Sequence, residues 1–280
     1  MPAAPQPAAP QPAAPIGVFD SGVGGLTVLR ELRTRLPDED FIYLGDTARL
    51  PYGTKSAQTV VRYSLQCASA LIGRGVRALV VACNTASASA LPALREANPQ
   101  LPIIGVIEPG AAEAVRVSTA GRIAVIGTQA TVEGGAYEAA IRRIAPRAEV
   151  SARACALFVA LAEEGWVEGP IAEAIARRYL ADWFSGAQAP DTLVLGCTHF
   201  PQLLGAIRAV VPAQVHLVDS ARTTALAVAR ELGRTAPGGA SSRPGRIRWL
   251  ATDGAARFAR VGSSFLRAEL LEEQIEIIDL

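Results

Sequence analysis

Short, solid apolar runs alternate with stretches whose apolar residues recur every three or four positions. The runs Ile16–Phe19, Phe41–Leu44, Ala78–Ala82, Ile103–Ile107, Ile123–Ile126, Leu193–Leu195 and Val215–Val218 are rich in β-branched residues. That pattern predicts strands buried on both faces. Between them, Leu26–Leu36, Ala57–Arg74, Gly135–Ile144 and Gly169–Phe184 carry the helical period. A strand at Arg246–Leu250, a terminal helix and the segment Ile275–Leu280 complete the chain. Strands alternating with helices in this way predict an α/β fold with mainly parallel sheets.

The order of motifs repeats. GVFDSG, VVACNT and GVIEPG in the first half are followed by AVIGTQAT, LVLGCTH and HLVDSA in the second. Two pseudo-symmetric, doubly wound α/β units follow from this, each with a cysteine at the end of a strand. The first unit is expected to comprise residues 16–110 with 222–280, and the second residues 111–221. Residues 1–15, MPAAPQPAAPQPAAP, have little to bury and are expected to form a disordered Pro/Ala-rich tail.

Composition narrows the function. Half the 280 residues are apolar, 19% are charged and the net charge is +1, with no run of like charges. Neither a nucleic-acid surface nor a membrane span is indicated. The tail lacks the basic start and apolar centre of an export signal. A reducing cytoplasmic setting is therefore expected, with Cys67, Cys83, Cys155 and Cys197 as free thiols. No CxxC pair occurs and only His199 and His216 are present, so no metal site is expected.

Five clusters fall where ligands bind in such folds, beyond the carboxyl ends of strands. Asp20-Ser21-Gly22-Val23-Gly24-Gly25 opens a helix; its bland reading is a simple cap. Cys83-Asn84-Thr85 and Gly196-Cys197-Thr198-His199 each place a thiol at a strand end beside a helix start, which favours thiolate. His199 either assists Cys197 or caps the helix. Leu50-Pro51-Tyr52-Gly53-Thr54-Lys55-Ser56 reads as a turn leading into a helix, either a common loop or one in which Tyr52 and the Gly53 amide touch a small polar ligand. Thr128 and Thr131 offer hydroxyls near a helix start. Glu163 and Glu164 are either an orienting carboxylate or solvated surface. Cys67 and Cys155 lie in apolar patterns and read as core filling.

Together the stretches IGVFDSGVGGLTVLREL, YLGDTARLPYGTKS, VVACNTASASAL, IGVIEPG, AVIGTQATVEGGAY and LVLGCTHFPQL resemble glutamate racemases of the aspartate/glutamate racemase superfamily. The resemblance implies two α/β domains closing on glutamate, with the active site between them and no cofactor. It implies that Cys83 acts on D-glutamate and Cys197 on L-glutamate, with Asp20 near the first thiol, His199 near the second and Glu163 as the second domain's catalytic glutamate. By the same resemblance Asp20, Ser21, Pro51, Tyr52, Gly53, Asn84, Thr85, Thr128, Thr131, Thr198 and His199 bind substrate. It further implies a supply of D-glutamate for peptidoglycan, a homodimer and, as in some relatives, binding to DNA gyrase. The chain departs from the family pattern around Glu163: Ala156 and Ala160 replace the usual prolines, and Gly134 stands where serine is common. Aspartate racemases, hydantoin racemases and maleate isomerases also pair cysteines, but the DSGVGG, PYG and GCTH wording favours glutamate.

Overall fold

The computed structural model describes residues 14–234 and 244–280. Most of the expected tail lies outside the described residues. Of its last two residues, the Ala14 carbonyl accepts from the Arg77 side chain and the Pro15 carbonyl from the Arg77 amide.

The chain opens with β1 (Ile16–Asp20), α1 (Leu26–Arg35), β2 (Phe41–Gly45), α2 (Ala57–Ile72), β3 (Ala78–Val81), α3 (Asn84–Ala97), β4 (Ile103–Gly105) and α4 (Ile107–Val117). It continues with β5 (Arg122–Gly127), α5 (Gln129–Glu133), α6 (Ala136–Ile144), β6 (Glu149–Ala154), α7 (Ala156–Glu164) and α8 (Pro170–Leu180). Then come β7 (Thr192–Gly196), α9 (Leu204–Arg208), β8 (His216–Asp219), α10 (Ser220–Glu231), β9 (Ile247–Ala251), α11 (Ala255–Leu266) and β10 (Ile275–Ile277).

The strands form two sheets, ordered β10-β9-β2-β1-β3-β4 and β6-β5-β7-β8. Every pairing is parallel. The strand cores are fully buried because helices cover both sheet faces, which is why β1, β3 and β7 read as unbroken apolar runs. The order β2-β1-β3-β4 in one sheet is matched by β6-β5-β7-β8 in the other, so the sequence repeat is a repeat of topology. In both sheets the winding direction reverses at one place: between β1 and β3, and between β5 and β7. Such switch points open a crevice at the carboxyl ends of the strands. Cys83 follows β3 and Cys197 follows β7, so each thiol stands at its own sheet's crevice.

Three local expectations are revised. The strand expected over Ile103–Ile107 stops at Gly105, and Ile107 already begins α4. The β-branched Val106 and Ile107 are buried at a helix start rather than in the sheet. β6 was not expected; it is an edge strand, exposed or half-buried throughout, and so lacks an apolar run. Cys67 is buried as expected, but in polar company: its sulfur lies 3.9 Å from the Tyr52 hydroxyl and 3.8 Å from the Arg49 guanidinium. Among the described residues no helix is long and apolar enough to cross a membrane.

Candidate active site

A cavity of about 310 Å³ lies where the two crevices face each other, at the small end of the range for small-molecule sites. One wall comes from the first sheet's side: Ser21, the loop Leu50–Thr54, Cys83, Asn84 and Thr85. The opposite wall holds Thr128, Gln129, Cys197, Thr198, His199 and the α7 residues Ala156, Val159, Ala160 and Glu163. Both sulfurs therefore line one space. Two glycines allow the walls to approach. A Cβ on Gly24 would press on Thr198 Oγ1 and lie 2.6 Å from the His199 ring, and one on Gly53 would lie 2.9 Å from Thr128 Cβ. The Thr27 hydroxyl adds a hydrogen bond to the Thr198 carbonyl, 3.0 Å across the same seam.

Cys83 is the residue before α3, and its sulfur accepts from the Ala86 amide at 3.5 Å. The thiol also points to Ser21 Oγ at 3.7 Å. Contrary to the expectation that the helix start favours thiolate, burial, and then the nearby Asp20 carboxylate, outweigh the Ala86 amide and push this thiol up to about 12. Asp20 ends β1 and does not line the cavity; it is 1% exposed, behind the wall. One of its oxygens accepts from the Gly22 amide at 2.9 Å, and the other has no partner among the described residues. Burial raises the Asp20 pKa, against the pull of His199 and the amides of Gly25, Gly22 and Ser21.

Cys197 has different support. Its sulfur is 3.7 Å from His199 Nδ1, His199 Nε2 is 3.0 Å from Glu163, and the other Glu163 oxygen accepts from Arg257 at 2.8 Å. His199 precedes a short 3-10 turn, Phe200–Leu203, without capping it through its side chain. Of the two readings of His199, its side chain takes the one directed at the thiol. Burial works to lower the His199 pKa, but the hydrogen bonds and charges of Cys197 and Glu163 outweigh it and raise the ring to about 10. Burial likewise works to raise Glu163, yet His199 and Arg257 bring it down to about 2. At neutral pH the arrangement is a carboxylate held between an imidazolium and a guanidinium, with the imidazolium beside the sulfur.

The remaining expected residues divide into wall and backing. Asn84 and Thr85 open α3, where amides have no carbonyl of their own helix to bond. The Asn84 Oδ1 is buried and, among the described residues, without a protein partner. Thr85, Thr128 and Thr131 form a hydroxyl cluster with separations of 2.9–3.3 Å, in which Thr131 lies behind the other two. The Tyr52 hydroxyl is committed to the buried Asp46 carboxylate, which also accepts from Arg49 and Thr252. Tyr52 thus anchors the loop Leu50–Thr54, and the amides of Tyr52 and Gly53 are what that turn offers a ligand. Leu50, Thr54 and Gln129, members of their clusters without an expected ligand role, also line the wall, and the pattern reading missed Val159 there and Arg257 behind it. Arg257 comes from α11, far along the chain from every motif, and no local signal marks it.

The family described as Asp/Glu/Hydantoin racemase matches residues 16–228. A glutamate racemase of Geobacter metallireducens is 52% identical over 259 residues, covering 91% of this chain and 93% of that one. Among solved structures, the Francisella tularensis glutamate racemase in complex with D-glutamate superposes with a TM-score of 0.85. It is 37% identical over 95% of this chain and 97% of that one. The Escherichia coli glutamate racemase, in complex with L-glutamate and the activator UDP-MurNAc-Ala, has a TM-score of 0.73 at 34% identity, covering 90% and 95%. The chain belongs to the Asp/Glu/Hydantoin racemase family.

Proposed function

We propose that this protein interconverts L- and D-glutamate by a two-base mechanism in which Cys83 and Cys197 work from opposite faces of the α-carbon. The observation that carries the reading is that both thiols line one small cavity at matched positions of the two sheets. The substrate assignment rests on the relatives named glutamate racemase and on neighbours solved with D- or L-glutamate.

One thiolate removes the α-proton, so that an S–H bond forms as the C–H bond breaks. The other thiol delivers its proton to the opposite face and is left as the thiolate. The sulfurs regain their starting states by proton exchange with solvent, and the roles swap with direction. Cys83 acts on D-glutamate, with Asp20 behind it; Cys197 acts on L-glutamate, with His199 and Glu163 behind it.

An α-proton is weakly acidic, so the carbanion needs donors already aimed at the substrate. Among the described residues the cavity wall carries no lysine or arginine. The substrate's carboxylates are met by the α3 amides, the Tyr52 and Gly53 amides, and the hydroxyls of Ser21, Thr85, Thr128 and Thr198. The orphaned Asn84 Oδ1 is an acceptor for the α-ammonium. Neutral donors in a closed, water-poor space strengthen as charge develops on the α-carbon and its carboxylate. The product fits a role in supplying D-glutamate for peptidoglycan.

The test is a cofactor-free assay on purified protein, followed by circular dichroism. Optical activity should decay to zero starting from either enantiomer of glutamate. Turnover of aspartate but not glutamate would reassign the substrate.

A further inference from the structure

Tyr137 has a place in the site that its position outside the cavity wall conceals. It lies on α6, on the second sheet's side, and is 1% exposed. Its ring fills a slot between two glycines: a Cβ on Gly196 would lie 3.0 Å from the ring, and one on Gly110 3.4 Å. Gly196 directly precedes Cys197. The phenol oxygen accepts a 2.8 Å hydrogen bond from Asn84 Nδ2, and Asn84 directly follows Cys83. One buried side chain therefore touches the chain neighbours of both thiols, and its bond to Asn84 joins the two halves.

A primary amide carries its NH2 donor and its carbonyl acceptor in one plane, pointing to opposite sides of the Cβ–Cγ axis. With Nδ2 held from behind by Tyr137, the rotation of the amide is fixed. Its Oδ1 is then the buried atom without a protein partner among the described residues, on a residue that lines the cavity. A buried acceptor left open costs stability unless a ligand or water uses it.

We propose that Tyr137 is a positioning residue: it locks the Asn84 amide so that Oδ1 receives the α-ammonium of the amino-acid substrate and sets the α-carbon between the two sulfurs. This rests on the amino-acid racemase reading of the site. Tyr137 touches no substrate; it acts through Asn84. The ammonium is present in both enantiomers and is bound before and during proton transfer, so its contact governs ground-state binding in both directions.

Tyr137→Phe removes one oxygen and keeps the ring in its slot. Steady-state kinetics in both directions and melting temperatures are measured for the wild-type chain, Tyr137→Phe, Asn84→Ala and the double variant. Tyr137→Phe should lower kcat/KM about tenfold in both directions, mainly through KM, the size of one hydrogen bond. On the Asn84→Ala background the same change should have no further effect, because the group it positions is gone. An equal loss on both backgrounds, or a lowered melting temperature with unchanged KM, would assign Tyr137 to packing and overturn the proposal. So would wild-type kinetics in Tyr137→Phe. Failure of the racemase reading is a separate result: the wild-type chain would not turn over glutamate in the same assay.

Discussion

The two thiols occupy equivalent places in the repeated topology and have opposite surroundings. Cys83 stands before a carboxylate, with burial and the Asp20 charge both favouring the protonated sulfur. Cys197 stands before an imidazolium, which is itself held by Glu163 and Arg257. A two-base racemase needs one sulfur protonated and one not, and a symmetric site would leave that choice open. Here the backing residues differ before substrate arrives: burial and Asp20 favour the thiol form of Cys83, whereas Cys197 lies beside His199, whose pKa is raised to about 10. The repeat supplies matched geometry, and the residues behind each sulfur supply the difference.

Removing either sulfur should have the largest effect. Cys83→Ala and Cys197→Ala should each lower kcat/KM about 10⁴-fold or more in both directions, because each turnover uses both groups. Substantial activity in either variant would mean that one base suffices. The backing residues should separate the directions. His199→Asn should lower kcat about 10²-fold, more from L-glutamate than from D-glutamate, and Asp20→Asn by a similar factor with the reverse bias, while kcat/KM falls equally in both directions because enantiomers interconvert with an equilibrium constant of one. Initial rates at saturating concentrations of each enantiomer give the comparison; equal losses of kcat in both directions would erase the distinction between the two sides. Asp20→Asn should also move a pH limb set by Cys83 downward. Burial, the larger cause, would still hold it above the ordinary thiol value of 9.0.

The Cys197 side should also leave a mark on stability. His199 binds its proton more tightly in the folded state, where its pKa is about 10, than when unfolded near 6.5. Its contribution is complete below pH 6.5 and is lost as pH rises to about 10. The Cys83 thiol, raised from 9.0 to about 12, adds a further loss over that higher window. Denaturant unfolding between pH 6 and 10 should show falling stability in the wild-type chain and a flatter profile in His199→Asn. The smallest effect is expected at Arg257, whose side chain is 47% exposed. Arg257→Gln should cost less than about 1 kcal/mol of stability, since water screens the pair, and should change rates only a few-fold. A large loss would make the far end of that chain of contacts catalytically essential.

The sequence revealed what is written locally. β1, β3, β5 and β7 are legible because burial on both faces demands continuous apolar residues, and Cys83 and Cys197 are legible because each breaks such a run where a helix begins. β6 is not legible, since an edge strand with Arg153 and Glu149 among its residues has no apolar signature. Ile107 misleads because β-branched residues also suit a buried helix start. Asp20, His199 and Glu163 could be named from their motifs and the family resemblance. Their roles depend on distances across the cleft that no local pattern encodes. Arg257 and the bond from Tyr137 to Asn84 belong to that non-local class.

The most direct test of the two-base account is the first turnover in D₂O. Either enantiomer of glutamate is supplied with protium at the α-carbon, and product and recovered substrate are compared by mass spectrometry at low conversion. Two independent thiols should give product carrying deuterium at the α-carbon and recovered substrate still carrying protium. Product that retains the substrate's own α-hydrogen would contradict the account, because a single base would then have carried that proton from one face to the other.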